Sequence, residues 1–179
     1  MNIRRIIILI TLLYGTGLFA QSLNSATYKE IKKILLLTSH QRQSEVKVSI
    51  ERLTPEPSAY LVALASDPQL RIYAKQKAIS LLQYYPTSGS EVFLRARIAD
   101  ASVHRSLRAS AAQSYAGGFY RRDAARVEAF LRSFQADRTI GVSVLSALRT
   151  ARIMNREFVP DERQIEQIRR QRQPPTKNQ

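Results

Sequence analysis

Six positions of the chain recur at a nearly constant spacing, and this repeat constrains the fold more than any other feature of the sequence. The second copy begins 33 residues after the first, and the third begins 37 residues after the second. Periods of this length are typical of stacked arrays in which each copy is one supersecondary unit. The chain of 179 residues is short enough for one domain built on such an array. The aligned positions are Tyr60/Phe93/Phe130, Leu61/Leu94/Leu131, Asp67/Asp100/Asp137, Leu70/Val103/Ile140, Ala74/Leu107/Val144 and Ala78/Ala111/Leu148.

Apolar residues at helical spacing predict a pair of helices in each copy. Asp67, Asp100 and Asp137 stand between the two helices of a pair, where we expect each side chain to cap the start of the second helix. Gly117 and Gly118 are expected to end the second helix of the middle copy. The predicted pairs are 58–66 with 68–83, 90–99 with 102–115, and 123–134 with 138–152.

The two ends of the chain fit the repeat less well. Residues 21–57 are predicted to form a degenerate N-terminal helix pair, with helices at 24–37 and 45–53. Residues 153–172 are predicted to form a polar C-terminal capping helix, as the end of an array requires, and 173–179 a disordered tail. Since no stretch alternates apolar and polar residues as a strand does, the sequence predicts an all-α protein.

One run in the first copy carries a family resemblance. Asp67-Pro68-Gln69-Leu70-Arg71, followed by Ala74 and Ala78, resembles a HEAT-type repeat, in which an Asp-Pro turn joins two antiparallel helices. The later copies keep the aspartate and the apolar position, lack the proline and displace the arginine. The resemblance covers 58–152 and implies a short right-handed α-solenoid of antiparallel helix pairs, of the armadillo-type superhelix. It implies by analogy a protein-binding scaffold, since most such families have that role.

The first twenty residues have the pattern of a secretory signal peptide. Arg4 and Arg5 precede an apolar run, 6–20, which ends in the small residue Ala20. We therefore expect cleavage of 1–20 and a periplasmic or secreted protein. The alternative is a retained membrane anchor through 6–20, although a span needs about 20 apolar residues. A buried first helix is the third explanation.

The residue types that carry most enzyme chemistry are scarce. The chain has no cysteine, which excludes disulfides, thiolate metal sites and a cysteine nucleophile. Its two histidines, His40 and His104, lie in different predicted units, where we expect surface or turn positions and no metal site. Neither a glycine-rich phosphate loop nor a nucleophile elbow is present. We therefore expect no enzymatic activity, no cofactor and no small-molecule substrate.

Positive charge is the main indication of a partner. Without the signal peptide, 26 basic and 14 acidic residues remain, a net charge of +12. This excess predicts an anionic partner, first of all an acidic protein, because arginine can bind carboxylates bidentately. Anionic lipid or a cell-wall polymer is a second possibility, and nucleic acid is less favoured because the chain is predicted to be exported. The opposite explanation is that the arginines only cover the polar faces of helices.

Candidate partner-binding residues fall into two groups. The second helices of stacked pairs usually line a concave face, and they carry, if the side chains point outward, Arg71, Lys75, Arg105, Arg108, Arg149 and Arg152. Two corners between helices combine aromatic residues with arginine, as protein interfaces often do, at Tyr84, Tyr85, Tyr120, Arg121 and Arg122. The alternative is that these rings pack between the repeats. The predicted function is an exported, non-enzymatic scaffold for protein–protein interaction in the cell envelope, and the alternative is a basic-face binder of an anionic polymer.

Overall fold

The computed structural model describes residues 23–37 and 42–157. All regular secondary structure within these residues is helical. The predicted all-α class is therefore confirmed for this part of the chain. A 3-10 turn, Leu82–Tyr84, extends the fourth helix. The helices are α1 (Ser25–Leu36), α2 (Gln43–Glu51), α3 (Pro57–Ser66), α4 (Ile72–Leu81), α5 (Ser88–Ala99), α6 (Arg105–Phe119), α7 (Ala124–Arg132) and α8 (Gly141–Glu157).

Several predictions lie outside the described residues. These are the signal peptide 1–20, the position of His40, the segment of the predicted capping helix beyond 157 and the tail 173–179. None of the helices within 23–37 and 42–157 is long and apolar enough to cross a membrane.

The helix α6 lies at the centre of the packing. It contacts α5 and α7, its neighbours in the chain, and also α4 and α8. Its side chains Tyr115 and Phe119 are among the largest that are fully buried. The helices of the other two repeat pairs also contact each other, α3 with α4 and α7 with α8. The core is therefore built around one helix that packs against two helices before it and two helices after it in the chain.

The recurring apolar positions of the sequence lie in this core. Leu61, Leu94 and Leu131 each have no exposed surface, and Ala78 and Ala111 are buried equally completely. Removing apolar surface from water is the main favourable term in folding. The spacing seen in the sequence is thus the spacing of residues that the helices bury.

The aspartates between paired helices do not cap the second helix, so that prediction is wrong. The second helices begin four or five residues later, at Ile72, Arg105 and Gly141. Each carboxylate instead accepts a hydrogen bond from the backbone N–H two residues ahead, at 2.8–2.9 Å, in Gln69, Ser102 and Thr139. An aspartate that binds its own backbone in this way stabilises a turn, and the helix starts only after the turn is complete.

The two adjacent glycines do not end α6, contrary to the prediction. Gly117 and Gly118 lie inside the helix, which continues to Phe119. A Cβ atom at Gly118 would lie 2.9 Å from the backbone oxygen of Gln83, in the turn after α4. The absence of a side chain therefore allows α6 to approach this turn closely.

Other predicted boundaries shift by a few residues. The helix predicted at 24–37 is confirmed as α1, where the Asn24 carboxamide oxygen accepts hydrogen bonds from the N–H groups of Ala26 and Thr27. The second helix predicted for the third repeat, 138–152, is wrong at both ends, because α8 runs from Gly141 to Glu157. The predicted boundary at 152 therefore falls inside a helix.

Candidate functional site

The helix α8 has an apolar side that faces the core and further apolar residues that face outward. Val144 and Leu148 are buried where α8 contacts α6 and α7. Outward, Leu145 is 49% exposed and Ile153 is 48% exposed. Val142 and Met154 are also exposed, at 85% and 60%. A concentration of exposed apolar residues on one helix is a feature of interaction surfaces.

A groove of about 370 Å³ runs beside this outer face, and we call it the α7–α8 groove. Apolar and basic side chains line it together. Most of it is provided by α8, and α7 contributes its last residue. The lining residues are Arg132, Leu145, Leu148, Arg149, Arg152 and Ile153.

One carboxylate, Glu128, organises the arginines at the groove. Arg152 donates to it twice, from Nε at 2.8 Å and from Nη2 at 2.5 Å. The Tyr120 hydroxyl donates at 2.5 Å, and Arg132 Nη2 lies 3.4 Å from the second carboxylate oxygen. These donors stabilise the charged form of Glu128, Arg152 most strongly, and lower its pKa to about 2.

The groove nevertheless keeps an excess of positive charge. Arg132, Arg149 and Arg152 line it, and Glu128 is the carboxylate that pairs with two of them, so the group has a net charge of +2. Arg149 is exposed and forms no hydrogen bond or ion pair with any described residue. Its guanidinium is therefore available to an anionic group from another molecule or segment.

The structure brings three of the predicted residues to this site. Arg149 and Arg152 line the groove, and Tyr120 acts behind them through Glu128. The hydrogen bond from Tyr120 to the carboxylate also raises the pKa of the tyrosine. Tyr120 is therefore a positioning residue for the arginines.

Arg108 does not point outward, and its prediction as a partner-binding residue is wrong. Its side chain is 4% exposed and forms an ion pair with Asp137 at 2.7 Å. Its other donors reach the hydroxyl of Thr139 at 2.8 Å and the backbone oxygen of Ile98 at 3.0 Å. Arg108 thus joins α6 to the turn between α7 and α8. Hydrogen bonds that Asp137 accepts from the Thr139 hydroxyl, from Arg108 and from the Thr139 backbone N–H hold the pKa of Asp137 well below its usual range.

The remaining basic candidates lie outside the groove. Arg71 precedes α4 and Lys75 lies in its first turns, whereas Arg105 opens α6. Arg71 and Arg105 are exposed and Lys75 is half-buried. The structure does not bring these three residues together with Arg149 and Arg152.

The two aromatic corners contribute partly to packing. Tyr85 packs against the core, and Arg122 Nη1 donates to the backbone oxygen of Pro86 at 2.8 Å, which joins the two corners. Burial raises the pKa of Tyr85. Tyr84 is 41% exposed and donates to the Gln43 side chain at 3.3 Å. Arg121 is exposed.

Of the six residues that line the groove, the sequence predictions named only Arg149 and Arg152 as binding candidates. Arg132, Leu145 and Ile153 were not among the candidates. Arg132 contacts the carboxylate of Glu128, and Leu145 and Ile153 provide apolar surface in the groove. The signal was present as the four-residue spacing of Leu145, Arg149 and Ile153, which puts them on one side of a helix. The premature boundary at 152 concealed it.

No group of three or more His, Cys, Asp or Glu residues within 23–37 and 42–157 could hold a metal ion. His104 is exposed and accepts from the Ser106 N–H at the start of α6, which confirms its predicted turn position.

Compared with known protein families, curated proteins and solved structures, the chain has no significant match. The chemistry of the groove is therefore the basis on which a function is assigned.

Proposed function

We propose that the protein is an exported, non-enzymatic helical-repeat scaffold that binds an acidic protein segment in the α7–α8 groove. The observation that carries this proposal is the presence, in one groove, of exposed apolar side chains and the guanidinium of Arg149, which has no partner among the described residues. The basic n-region and apolar run of 1–20 support export.

The proposed scaffold is a short right-handed HEAT-like solenoid, with α3/α4, α5/α6 and α7/α8 as antiparallel pairs. Contacts of α6 with α4 and α8 support it, because second helices of neighbouring pairs touch in a stacked array. In this arrangement α8 belongs to the terminal pair, and its outer face has no further repeat to cover it within the described residues.

The groove suits an amphipathic helix as its ligand. Apolar side chains at helical spacing would contact Leu145 and Ile153, and neighbouring carboxylates would pair with Arg149 and Arg132. Arginine favours carboxylates because its planar fork can form two parallel hydrogen bonds. The apolar contacts give affinity, and the charges select an acidic segment over a basic one.

An anionic polymer is the competing ligand, and the exposed cations Arg71, Arg105 and Arg149 are the observation in its favour. These three residues lie on different helices, α4, α6 and α8. A polymer that contacts all three would depend on each of them and would bind with a steep salt dependence. Of these three arginines, only Arg149 would contribute to binding a protein segment in the groove.

Site-specific photo-crosslinking in the producing cells tests the proposal. A photoreactive residue at Leu145 is expected to capture a protein, whereas one at Val92, a more exposed position on α5, is expected to capture none. The affinity of the purified partner is then measured with the charge-reversed variant Arg149→Glu. We expect a loss of about tenfold or more, and a change of less than about twofold for Arg71→Glu.

The competing ligand is tested with the same variants and an immobilised polyanion such as heparin. Binding that falls equally in Arg71→Glu, Arg105→Glu and Arg149→Glu, with no protein captured at position 145, would favour the polymer binder and contradict the scaffold.

A further inference from the structure

We infer that the free protein covers the α7–α8 groove with its own segment 158–168, which a partner must displace. The inference rests on the proposed function, because it assigns an internal competitor to the same groove. It is carried by three independent matches between the groove and this segment: position in the chain, length and charge.

The first match is position. The last described residue of α8 is Glu157, four residues beyond Ile153, which lines one end of the groove. The groove then runs back along α8 to Leu145. The residue that precedes a proline is pushed away from helical geometry, so Pro160 favours a change of direction within three residues of Glu157. A chain that turns back there enters the groove without a long connection.

The second match is length and apolar spacing. Leu145 and Ile153 are eight positions apart, which corresponds to about 12 Å along a helix. Residues 160–168 also span eight positions and about 12 Å if helical. Within this segment Ile165 and Ile168 are three positions apart, so that a helix places them on the same side. In an antiparallel alignment that begins at Pro160, Ile168 lies opposite Leu145.

The third match is charge. The segment 158–168 contains Asp161, Glu162 and Glu166 against the one cation Arg163, a net charge of −2. The arginines of the groove with Glu128 have a net charge of +2.

The rest of the chain is not complementary to the groove. Its last eleven residues, 169–179, have no acidic side chain and a net charge of +4, with the cations Arg169, Arg170, Arg172 and Lys177. This charge opposes that segment's entry into the groove. We therefore assign the acidic segment 158–168 to the groove, and not the basic segment 169–179.

This arrangement makes the groove selective. A partner must supply apolar and acidic contacts that exceed those of a tethered competitor, whose effective concentration is high because it is part of the same chain. Acidic ligands that bind weakly are then excluded. Removing the acidic side chains of 158–168 opens the groove to them.

Cross-linking of the full mature chain tests the inference, and the absence of natural cysteine means that two engineered thiols react without background. The test variant is Leu145→Cys/Ile168→Cys, and the matched control is Val92→Cys/Ile168→Cys. Leu145 and Val92 are both exposed, so neither change disturbs the core, and each variant is required to keep the circular dichroism spectrum of the natural chain. With a short bismaleimide, we expect the 145/168 pair to cross-link within one chain at least about tenfold faster than the control.

The charge match is tested in the same background. Glu162→Lys/Glu166→Lys is expected to slow the 145/168 cross-link about tenfold, and adding Arg149→Glu is expected to restore part of the rate. Equal rates for the test and control pairs would overturn the inference. Cross-links between two chains would overturn it in favour of a second copy as the occupant, and an unchanged rate in the lysine variant would overturn its electrostatic basis.

The two proposals fail in different ways. Capture of a partner at position 145 without the 145/168 cross-link contradicts the internal competitor and leaves the scaffold in place. A rapid 145/168 cross-link, together with no partner bound by Glu162→Lys/Glu166→Lys, contradicts the scaffold and makes the segment a permanent cap. Both proposals hold if this variant binds the partner at least about threefold more tightly than the natural chain.

Discussion

Arginine residues of this chain have two different physical roles, and exposure separates them. Arg149 is exposed without a partner among the described residues, whereas the Arg108 side chain is 4% exposed and forms hydrogen bonds with Asp137, Thr139 and Ile98. A buried charge is tolerated only when it is paired and hydrogen-bonded. The sequence pattern does not distinguish these two arginines, because their roles depend on the residues that surround them in the folded protein.

Replacing Arg108 with alanine is expected to lower the free energy of unfolding by about 3 kcal/mol, because it leaves buried acceptors unpaired and opens the contact between α6 and the turn before α8. Urea unfolding followed by circular dichroism measures the change. Arg105→Ala is the matched control, an exposed arginine three positions earlier on the same helix, with an expected change within about 0.5 kcal/mol. Equal effects of the two substitutions would show that Arg108 is not structural.

The carboxylate beside the groove gives a test by pH. Folding lowers the pKa of Glu128 from 4.5 to about 2, mainly through Arg152. Between these values the unfolded chain binds more protons than the folded chain, so the contribution of Glu128 is present above about pH 4.5 and is lost as the pH falls towards 2. Glu128→Gln is expected to flatten the acid side of the stability curve in this window. Urea midpoints measured from pH 2 to 6 test this expectation. Parallel curves for the natural chain and Glu128→Gln would contradict the assignment.

Among the helices, α6 depends on the absence of a side chain at Gly118. A residue larger than glycine at Gly118 meets the backbone of Gln83, which belongs to the turn after α4. At Gly117 the nearest atom is instead Oε1 of the Gln83 side chain, at 2.7 Å, and that side chain can rotate away. Adjacent glycines of one helix therefore face a rigid and a movable neighbour.

These neighbours predict opposite effects of the same substitution. Gly118→Ala is expected to destabilise the protein by about 1–3 kcal/mol, because the backbone of Gln83 must shift. Gly117→Ala is expected to be neutral or to stabilise by up to about 1 kcal/mol, since alanine favours the helix more than glycine does. Thermal unfolding of both variants provides the comparison. A similar loss in the two would mean that α6 does not need the close approach.

The element α8 combines structural and binding surfaces on one helix. Its inner residues Val144 and Leu148 complete the core, and its outer residues Leu145, Arg149 and Ile153 form the groove. The inner residues follow the repeat and were predicted as core. The outer residues interrupt a polar surface with apolar side chains, which the repeat alone does not explain.

At the scale of the whole molecule, the predicted all-α class and most predicted helices agree with the structure. The periodicity succeeded at positions such as Leu61, Leu94 and Leu131 because helices bury residues at that spacing. It failed at the turns, where Asp67, Asp100 and Asp137 stabilise their own backbone and delay the next helix. Turn geometry depends on local hydrogen bonds that the apolar pattern does not encode.

The candidate site was predicted only in part. Arg149, Arg152 and Tyr120 were named from the sequence, but their relation was not, because the carboxylate that joins Arg152 to Tyr120 comes from α7. Arg71 and Arg105 share the residue type and predicted face of Arg149 and lie elsewhere. Side chains from separate helices meet only after the helices pack, so their distances cannot be obtained from spacing along one helix.

The amino-acid sequence by itself determined that the described part of this chain is helical and which apolar residues enter its core, because both follow from local periodicity and the burial of apolar surface. The tertiary structure alone decided that Arg108 is buried, that Gly118 lies at a helix contact and that Arg132 joins Arg149 in one groove. Each of these depends on which residue of another segment lies within a few ångströms. Such neighbours are set when the helices pack together.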